Sequence, residues 1–264
     1  MTRVALVTGA ARGIGAATVR RLAADGWAVV ALDRCADDPR LPYPLAREED
    51  LRAVVDGAAR EGARVLPVVA DANDLPAMTD AVALAESELG GLDAVVAAAG
   101  VIAGGVPLWE MAVEHECAVL DTDLGAVLVA ARVAIPALLR RPEPRAGRFV
   151  AITSAAATRA LPMLAAYCAA KAGVTGLVRA LAVELGGSGV TANAVSPGAT
   201  STPMLAESAR LYGLDSPESF APHQEALGRL VEPKEVADAI AWLAGAGGAA
   251  VTGATVPVDG GMTL

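Results

Sequence analysis

Thr8-Gly9-Ala10-Ala11-Arg12-Gly13-Ile14-Gly15 is the stretch from which the fold can be read. A short apolar run, residues 3–7, leads into it, and helical apolar spacing follows over 14–25. Glycine is needed where a chain turns tightly and where backbone must approach a pyrophosphate. The helix opening there offers free N–H groups and a partial positive charge to phosphates. A glycine-rich turn alone is a weak signal, but the first strand-to-helix junction is the context that this chemistry requires.

The same alternation continues outward. Further strands are expected at 28–32, 64–69, 93–97, 148–153, 190–195 and 254–258. Helices are expected at 48–61, 75–89, 114–140, 162–185 and 233–243, with Pro136 disturbing the last turns of the long one. Such a rhythm predicts an α/β Rossmann fold: one doubly wound, seven-stranded parallel sheet with helices on both faces. No linker divides it, so residues 1–264 form a single domain. Two segments break the rhythm, and segments of that length are usually functional. Residues 35–47 are polar and proline-rich, and residues 200–232 are long and proline-punctuated.

Composition narrows the class. Hydrophobic residues make up 54% and aromatics 3%, so small aliphatic side chains must build the core. A net charge of −9 without a basic patch argues against nucleic acid. Cys35, Cys117 and Cys168 are odd in number and widely spaced, which fits a reduced, cytoplasmic setting and no metal. His115 and His223 are isolated and also point to no metal, and the N-terminal apolar run is too short for a secretory leader. The uncharged stretch 239–258 holds four glycines and a proline, so it reads as helix end, turn and buried strand, with no membrane span. Trp27, Trp109 and Trp242 are expected in the core or an interface, and Cys168 as a small packed hydrophobe. Arg140 and Arg141 are placed to complement a helix dipole.

Three residues carry the chemistry. Tyr167 and Lys171 are four apart in a helical stretch and so share a face. A free tyrosine ionises near pH ~10, and a neighbouring ammonium lowers that value. Tyr167 can then exchange a proton with an alcohol or carbonyl. Ser154 ends the fifth strand and can hold the substrate oxygen. Lys171 is one of only two lysines in the chain, which makes a chance pairing a poor explanation. At the other end, Asp33 follows the second strand and can accept from adenosine ribose hydroxyls while repelling a 2′-phosphate, which favours NAD over NADP. Arg34 pulls the other way, since an arginine can hold such a phosphate. Asp71, with Ala72 beside it, can meet the adenine amino group or cap the following helix.

On these motifs the chain resembles the short-chain dehydrogenase/reductase family over essentially its whole length. The matches are TGAARGIG at 8–15, Asp71, AAAG at 97–100, Ser154, YCAAK at 167–171, NAVSPG at 193–198 and VDGG at 258–261. The resemblance implies that Tyr167 is the general acid/base and Ser154 orients the substrate oxygen. It makes Lys171 a ligand of the nicotinamide ribose and Thr202 a partner of the nicotinamide carboxamide. It adds Gly9, Arg12, Gly13, Ile14, Gly15, Gly100, Pro197, Gly198 and Thr200 to the cofactor-binding set. A homotetramer is implied too.

Two departures stand out. The family usually has N-N-A-G where this chain has Ala97-Ala98-Ala99-Gly100, and it places a catalytic asparagine where this chain has Asp123. An ionised aspartate accepts but cannot donate, so the family's proton relay is altered there. The stretch 43–51 resembles the insertion of a subgroup that includes carveol dehydrogenases, many coupled to mycofactocin, a peptide-derived redox cofactor. Such an insertion can lie across the adenosine and slow its release.

The substrate is expected to be a neutral, mostly hydrophobic secondary alcohol or its ketone. Residues 200–232, read as a lid over the substrate, supply Met204, Leu205, Leu211, Tyr212, Leu214 and Phe220, residues 101–109 add apolar surface, and Arg210 and Arg229 are isolated. The competing readings are an NADPH-dependent carbonyl reductase with Arg34 as clamp, and a catalytically silent dinucleotide-binding protein.

Overall fold

A computed structural model of the chain describes residues 2–264. Seven strands form one sheet: β1 (Val4–Thr8), β2 (Ala28–Asp33), β3 (Val65–Val69), β4 (Ala94–Ala97), β5 (Arg148–Ile152), β6 (Thr191–Pro197) and β7 (Thr255–Val258). Their order is β3-β2-β1-β4-β5-β6-β7, and every pair is parallel. Strand order reverses between β1 and β4. Ligands of such sheets gather at the carboxyl ends of the strands beside that switch point.

Both faces of the sheet are covered, which is why its central strands read as unbroken apolar runs. On one face α1 (Gly13–Ala24), α2 (Glu48–Arg60) and α8 (Pro233–Ala244) pack against Ala5, Val7, Val29 and Ala31. On the other, α3 (Leu75–Leu89), α5 (Ala126–Arg140) and α6 (Ala165–Glu184) pack against Leu6, Val30 and Val95. Alanine dominates the helix faces, so helices and sheet can approach closely.

The structure departs from the sequence expectation at several elements. The single helix expected over 114–140 is α4 (Val113–Leu120), a wide π turn at Asp121–Gly125, and then α5. The widened turn swings Asp123 into the core, fully buried, and leaves Asp121 at the surface. Helix α5 runs through Pro136 to Arg140. Strand β7 is part-exposed rather than buried, because it is the sheet's outer strand with a neighbour on one side only. Trp27 is buried under the Arg3 guanidinium at 4.0 Å, but Trp109 (85% exposed) and Trp242 lie outside the core. Arg140 and Arg141 hold Glu86 and Asp93, a more specific role than complementing a dipole. Two helical stretches, Val113–Arg140 and Ala165–Glu184, are long and apolar enough to cross a membrane. Their apolar faces are accounted for by packing on the sheet.

The two irregular segments both return to the carboxyl edge. Within 200–232 lie α7 (Pro203–Leu211) and a short 3-10 helix, Pro217–His223.

Candidate active site

The glycine turn is shaped by close approach. Gly9 sits at φ +66°, and a Cβ there would come within 2.8 Å of Ala99 backbone. A Cβ at Gly15 would collide with the Gly9 carbonyl. These two positions keep the turn flat against β4 and its backbone open to a ligand. Thr8 braces the same place: its buried hydroxyl accepts from Ala98 N–H at 3.1 Å and Ala99 N–H at 3.2 Å. It ties β1 to the segment after β4, across the AAAG run where the family usually carries asparagine.

Asp33 ends β2, with its carboxylate held by Ala11 N–H and Cys35 N–H, each at 3.0 Å. Burial and then the Asp33 charge push the Cys35 thiol up to about 12, which disfavours the reactive thiolate. Arg34 is committed elsewhere. Its guanidinium binds Asp38 at 2.9 Å and stands 3.7 Å from Asp71. Asp38 is buried, and hydrogen bonds from Arg40 first, with Arg34 adding to them, hold its carboxyl far below the ordinary range. Asp71 does not cap α3. Asp74 does, accepting from Ala77 N–H at 3.2 Å, while Asp71 accepts from Asn73 N–H and is left at the cavity wall.

The inserted segment 35–47 is fastened at several points. Arg40 reaches from Asp38 to Asp121 on the π turn, at 2.6 Å. Arg12 of the glycine turn pairs with Asp50 at 2.7 Å, just past the insertion. Tyr43 accepts a hydrogen bond from Ile102 N–H at 2.9 Å and packs beside Val101 and Ile102. The insertion therefore touches the wall of the cavity from the end lined by Asp33 round to the segment after β4.

At the chemical end, Ser154 follows β5, where its hydroxyl accepts from Ala156 N–H at 3.1 Å. Tyr167 and Lys171 lie one turn apart on α6, and both are buried. The Lys171 ammonium stands 5.6 Å from the centre of the Tyr167 ring. It donates to Ile152 carbonyl at 3.2 Å and meets Asp123 Oδ1 at 2.8 Å. Asp123 Oδ2 in turn accepts from Val101 N–H at 3.1 Å. Gly100 makes room for this pair, since a Cβ there would lie 2.8 Å from Asp123 Oδ1.

These contacts change the electrostatics expected from the Tyr/Lys spacing. Burial pushes the Tyr167 phenol above its ordinary value; Lys171 and Ser154 oppose that, and Asp123 adds to it. The spacing alone predicted a lowered value, because it could show neither the burial of the ring nor a carboxylate facing the ammonium. For Lys171, burial works against the charged form, but Asp123 and Tyr167 outweigh it and hold the ammonium protonated. Asp123 sits behind Lys171, away from the cavity wall.

One cavity of about 880 Å³ joins the two ends. Gly9, Arg12, Gly13, Ile14 and Gly15 line it with Asp33, Arg34, Asp71 and Ala72 at one end, and with Ser154, Tyr167 and Lys171 at the other. Gly100, Pro197, Gly198, Thr200 and Thr202 form the wall between. Thr202 caps α7, and its methyl group abuts Gly13, where a Cβ would stand at 3.2 Å. Leu164, Met204, Leu205, Tyr212, Leu214 and Phe220 make the far end apolar. Arg210 and Arg229 are neutralised by Glu207 and Glu235.

Sequence reasoning did not single out Tyr43, Arg159, Glu207 or Thr8 for these positions. It set His223 aside, and the structure places that ring in the cavity wall beside Phe220. Arg159 carried one legible signal, its place five residues after Ser154. Among the described residues no group of three or more His, Cys, Asp or Glu side chains could hold a metal.

Residues 9–263 match the family described as Enoyl-(Acyl carrier protein) reductase. The chain is 38% identical over 263 residues to a cis-4-hydroxycyclohexanecarboxylate dehydrogenase of Sinomonas cyclohexanicum, covering 99% of this chain and 96% of that one. It is 33% identical over 275 residues to a (-)-trans-carveol dehydrogenase of Rhodococcus erythropolis, covering 99% and 98%. Among solved structures it is similar to carveol dehydrogenase from Mycobacterium avium in complex with NAD. The TM-score there is 0.92, at 34% identity, covering 98% of this chain and 97% of that one.

Proposed function

The chain belongs to the short-chain dehydrogenase/reductase family, and on that footing we propose that it is an NAD-dependent dehydrogenase of secondary alcohols with a largely hydrophobic body, or of the matching ketones. One observation carries the reading: a single cavity brings Ser154, Tyr167 and Lys171 together with the glycine turn and Asp33.

The residues present fit NAD. The open backbone that Gly9 and Gly15 preserve suits a pyrophosphate, and Asp33 is held where it can accept from ribose hydroxyls. Its charge disfavours a 2′-phosphate, and Arg34, bound to Asp38, is not free to clamp one, which weakens the NADPH reading. NAD supplies the hydride acceptor when bound. Tyr167 takes the alcohol proton at its phenolic oxygen and returns it in the reverse direction. Lys171, held protonated by Asp123, stabilises the phenolate, and the Ser154 hydroxyl holds the substrate oxygen. The apolar far end suits a carbocyclic body, and the relatives from Sinomonas and Rhodococcus are both named for alcohols on a carbocycle. A panel of cyclic secondary alcohols with NAD and an artificial electron acceptor tests this. Alcohol-dependent reduction of the acceptor is expected. Bound NAD without turnover of any alcohol would favour a silent dinucleotide-binding protein.

Coupling to mycofactocin is the finer part of the same proposal. Its support is the fastened insertion, pinned through Arg40, Asp121, Arg12, Asp50 and Tyr43, which favours a slowly exchanging nucleotide. NAD that survives exhaustive dialysis and is reoxidised only by an added acceptor is the expected result. A homotetramer in a reducing cytoplasm completes the proposal, supported by the exposed apolar Val113, Leu128 and Val183 on α4, α5 and α6. Light scattering that gives a monomer at micromolar concentration would exclude it.

A further inference from the structure

We propose that Arg159 anchors a carboxylate on the substrate, so that the alcohol is carried on a hydrophobic hydroxy acid. This rests on the dehydrogenase reading above and names a charged group at one end of the otherwise apolar substrate.

Four guanidinium groups line the cavity: Arg12, Arg34, Arg159 and Arg210. Three are neutralised, by Asp50, Asp38 and Glu207. Among the described residues no carboxylate pairs with Arg159. One of its amino groups donates to Met262 carbonyl at 2.7 Å, which fixes the side chain. The other amino group and Nε remain for a planar, two-oxygen acceptor, the geometry that a guanidinium fork fits.

Its position is equally specific. Arg159 N–H bonds to Ala155 carbonyl at 2.8 Å, so the residue lies a single chain turn beyond Ser154. Its side chain lines the same cavity as Ser154, so a cation without a counter-charge is built into the wall that receives the substrate. Met262 touches the guanidinium, and Leu161, Phe220 and His223 line the same cavity. A half-buried charge against such a wall interacts more strongly than one in water. The neutral substrate expected from the sequence rested on the lid arginines, which are indeed paired; the unpaired cation comes from the segment after β5.

Two measurements test the proposal. In the first, cyclohexanecarboxylate and cyclohexanecarboxamide are titrated into NAD-loaded protein and followed by thermal shift. The carboxylate should bind about 10- to 100-fold more tightly, the range of a charge-assisted hydrogen bond. In the second, hydroxycyclohexanecarboxylates and their methyl esters are compared as substrates. Arg159→Gln should cost the acids about 10- to 100-fold in kcat/KM, mainly through KM, and cost the esters much less. Arg159→Lys should restore part of that preference. Equal binding of acid and amide by the wild type, or equal losses for acid and ester in Arg159→Gln, would overturn the assignment. Turnover of esters with no preference for acids defeats Arg159 alone. Selective binding of the carboxylate without turnover of any alcohol defeats the dehydrogenase reading and leaves the anion site standing.

Discussion

Replacing Asp123 by asparagine should move the pH dependence of alcohol oxidation to lower pH. The carboxylate is fully buried and stands 2.8 Å from Lys171 Nζ, which is itself 5.6 Å from the centre of the Tyr167 ring. Carboxylate and ring are thus separated by no more than about 8 Å. A unit charge at ~8 Å and an effective dielectric of ~20 contributes ~2 kcal/mol, or ~1.5 pH units. Alcohol oxidation requires the phenolate, and Asp123 raises the phenol's pKa in the native protein. Removing that charge leaves Lys171 unopposed, so the rising limb of kcat should fall by about one unit or more. Asparagine keeps the shape, but one of two acceptors is lost, and stability should drop by about 3–5 kcal/mol as the ammonium loses its counter-charge. The assay is kcat against pH under saturating alcohol and NAD, with a Tm for each variant. A limb that stays within about 0.3 units, or moves upward, in a folded variant would refute the reasoning.

Tyr167→Phe should lower kcat by about 10²- to 10⁴-fold while NAD binding, measured by fluorescence, stays near wild type, because only the proton carrier is gone. Asp33→Ala should weaken NAD and narrow its preference over NADP; an unchanged ratio of the two dissociation constants would reduce Asp33 to a strand-end carboxylate. Gly15→Ala should disrupt the turn, since a Cβ there meets the Gly9 carbonyl, and circular dichroism should show a lowered Tm together with lost NAD affinity. Arg40→Ala cuts the link between Asp38 and Asp121 and should speed NAD release in a stopped-flow chase, with a lowered Tm because the buried Asp38 loses its main partner.

Much of the scaffold was legible because it is set by local pattern. Seven apolar runs separated by helical periodicity specify a parallel sheet, and the glycine turn specifies which end binds. Tyr167 and Lys171 could be paired from sequence because four residues in a helix is a fixed geometry. The π turn at Asp121–Gly125 was not legible. One extra residue within an otherwise regular apolar helix leaves the periodicity almost unchanged, yet it decides which acidic residue faces inward. The role suggested for Asp71 as a helix cap failed for a related reason: Asp71 and Asp74 are both compatible with the start of α3, and only the turn geometry selects Asp74.

Sequence by itself determined the Rossmann architecture, the cofactor end of the sheet and the identity of Ser154, Tyr167 and Lys171. Each of these depends on residues near one another in the chain or on a repeated pattern along it. Tertiary structure alone decided which charges are neutralised. Lys171 meets Asp123 from 48 positions away, Arg40 bridges to Asp121, and Arg159 is left without an acid. Charge pairing depends on distances through space between separate elements. Here it decides which charges face Tyr167 and which remain unpaired in the cavity.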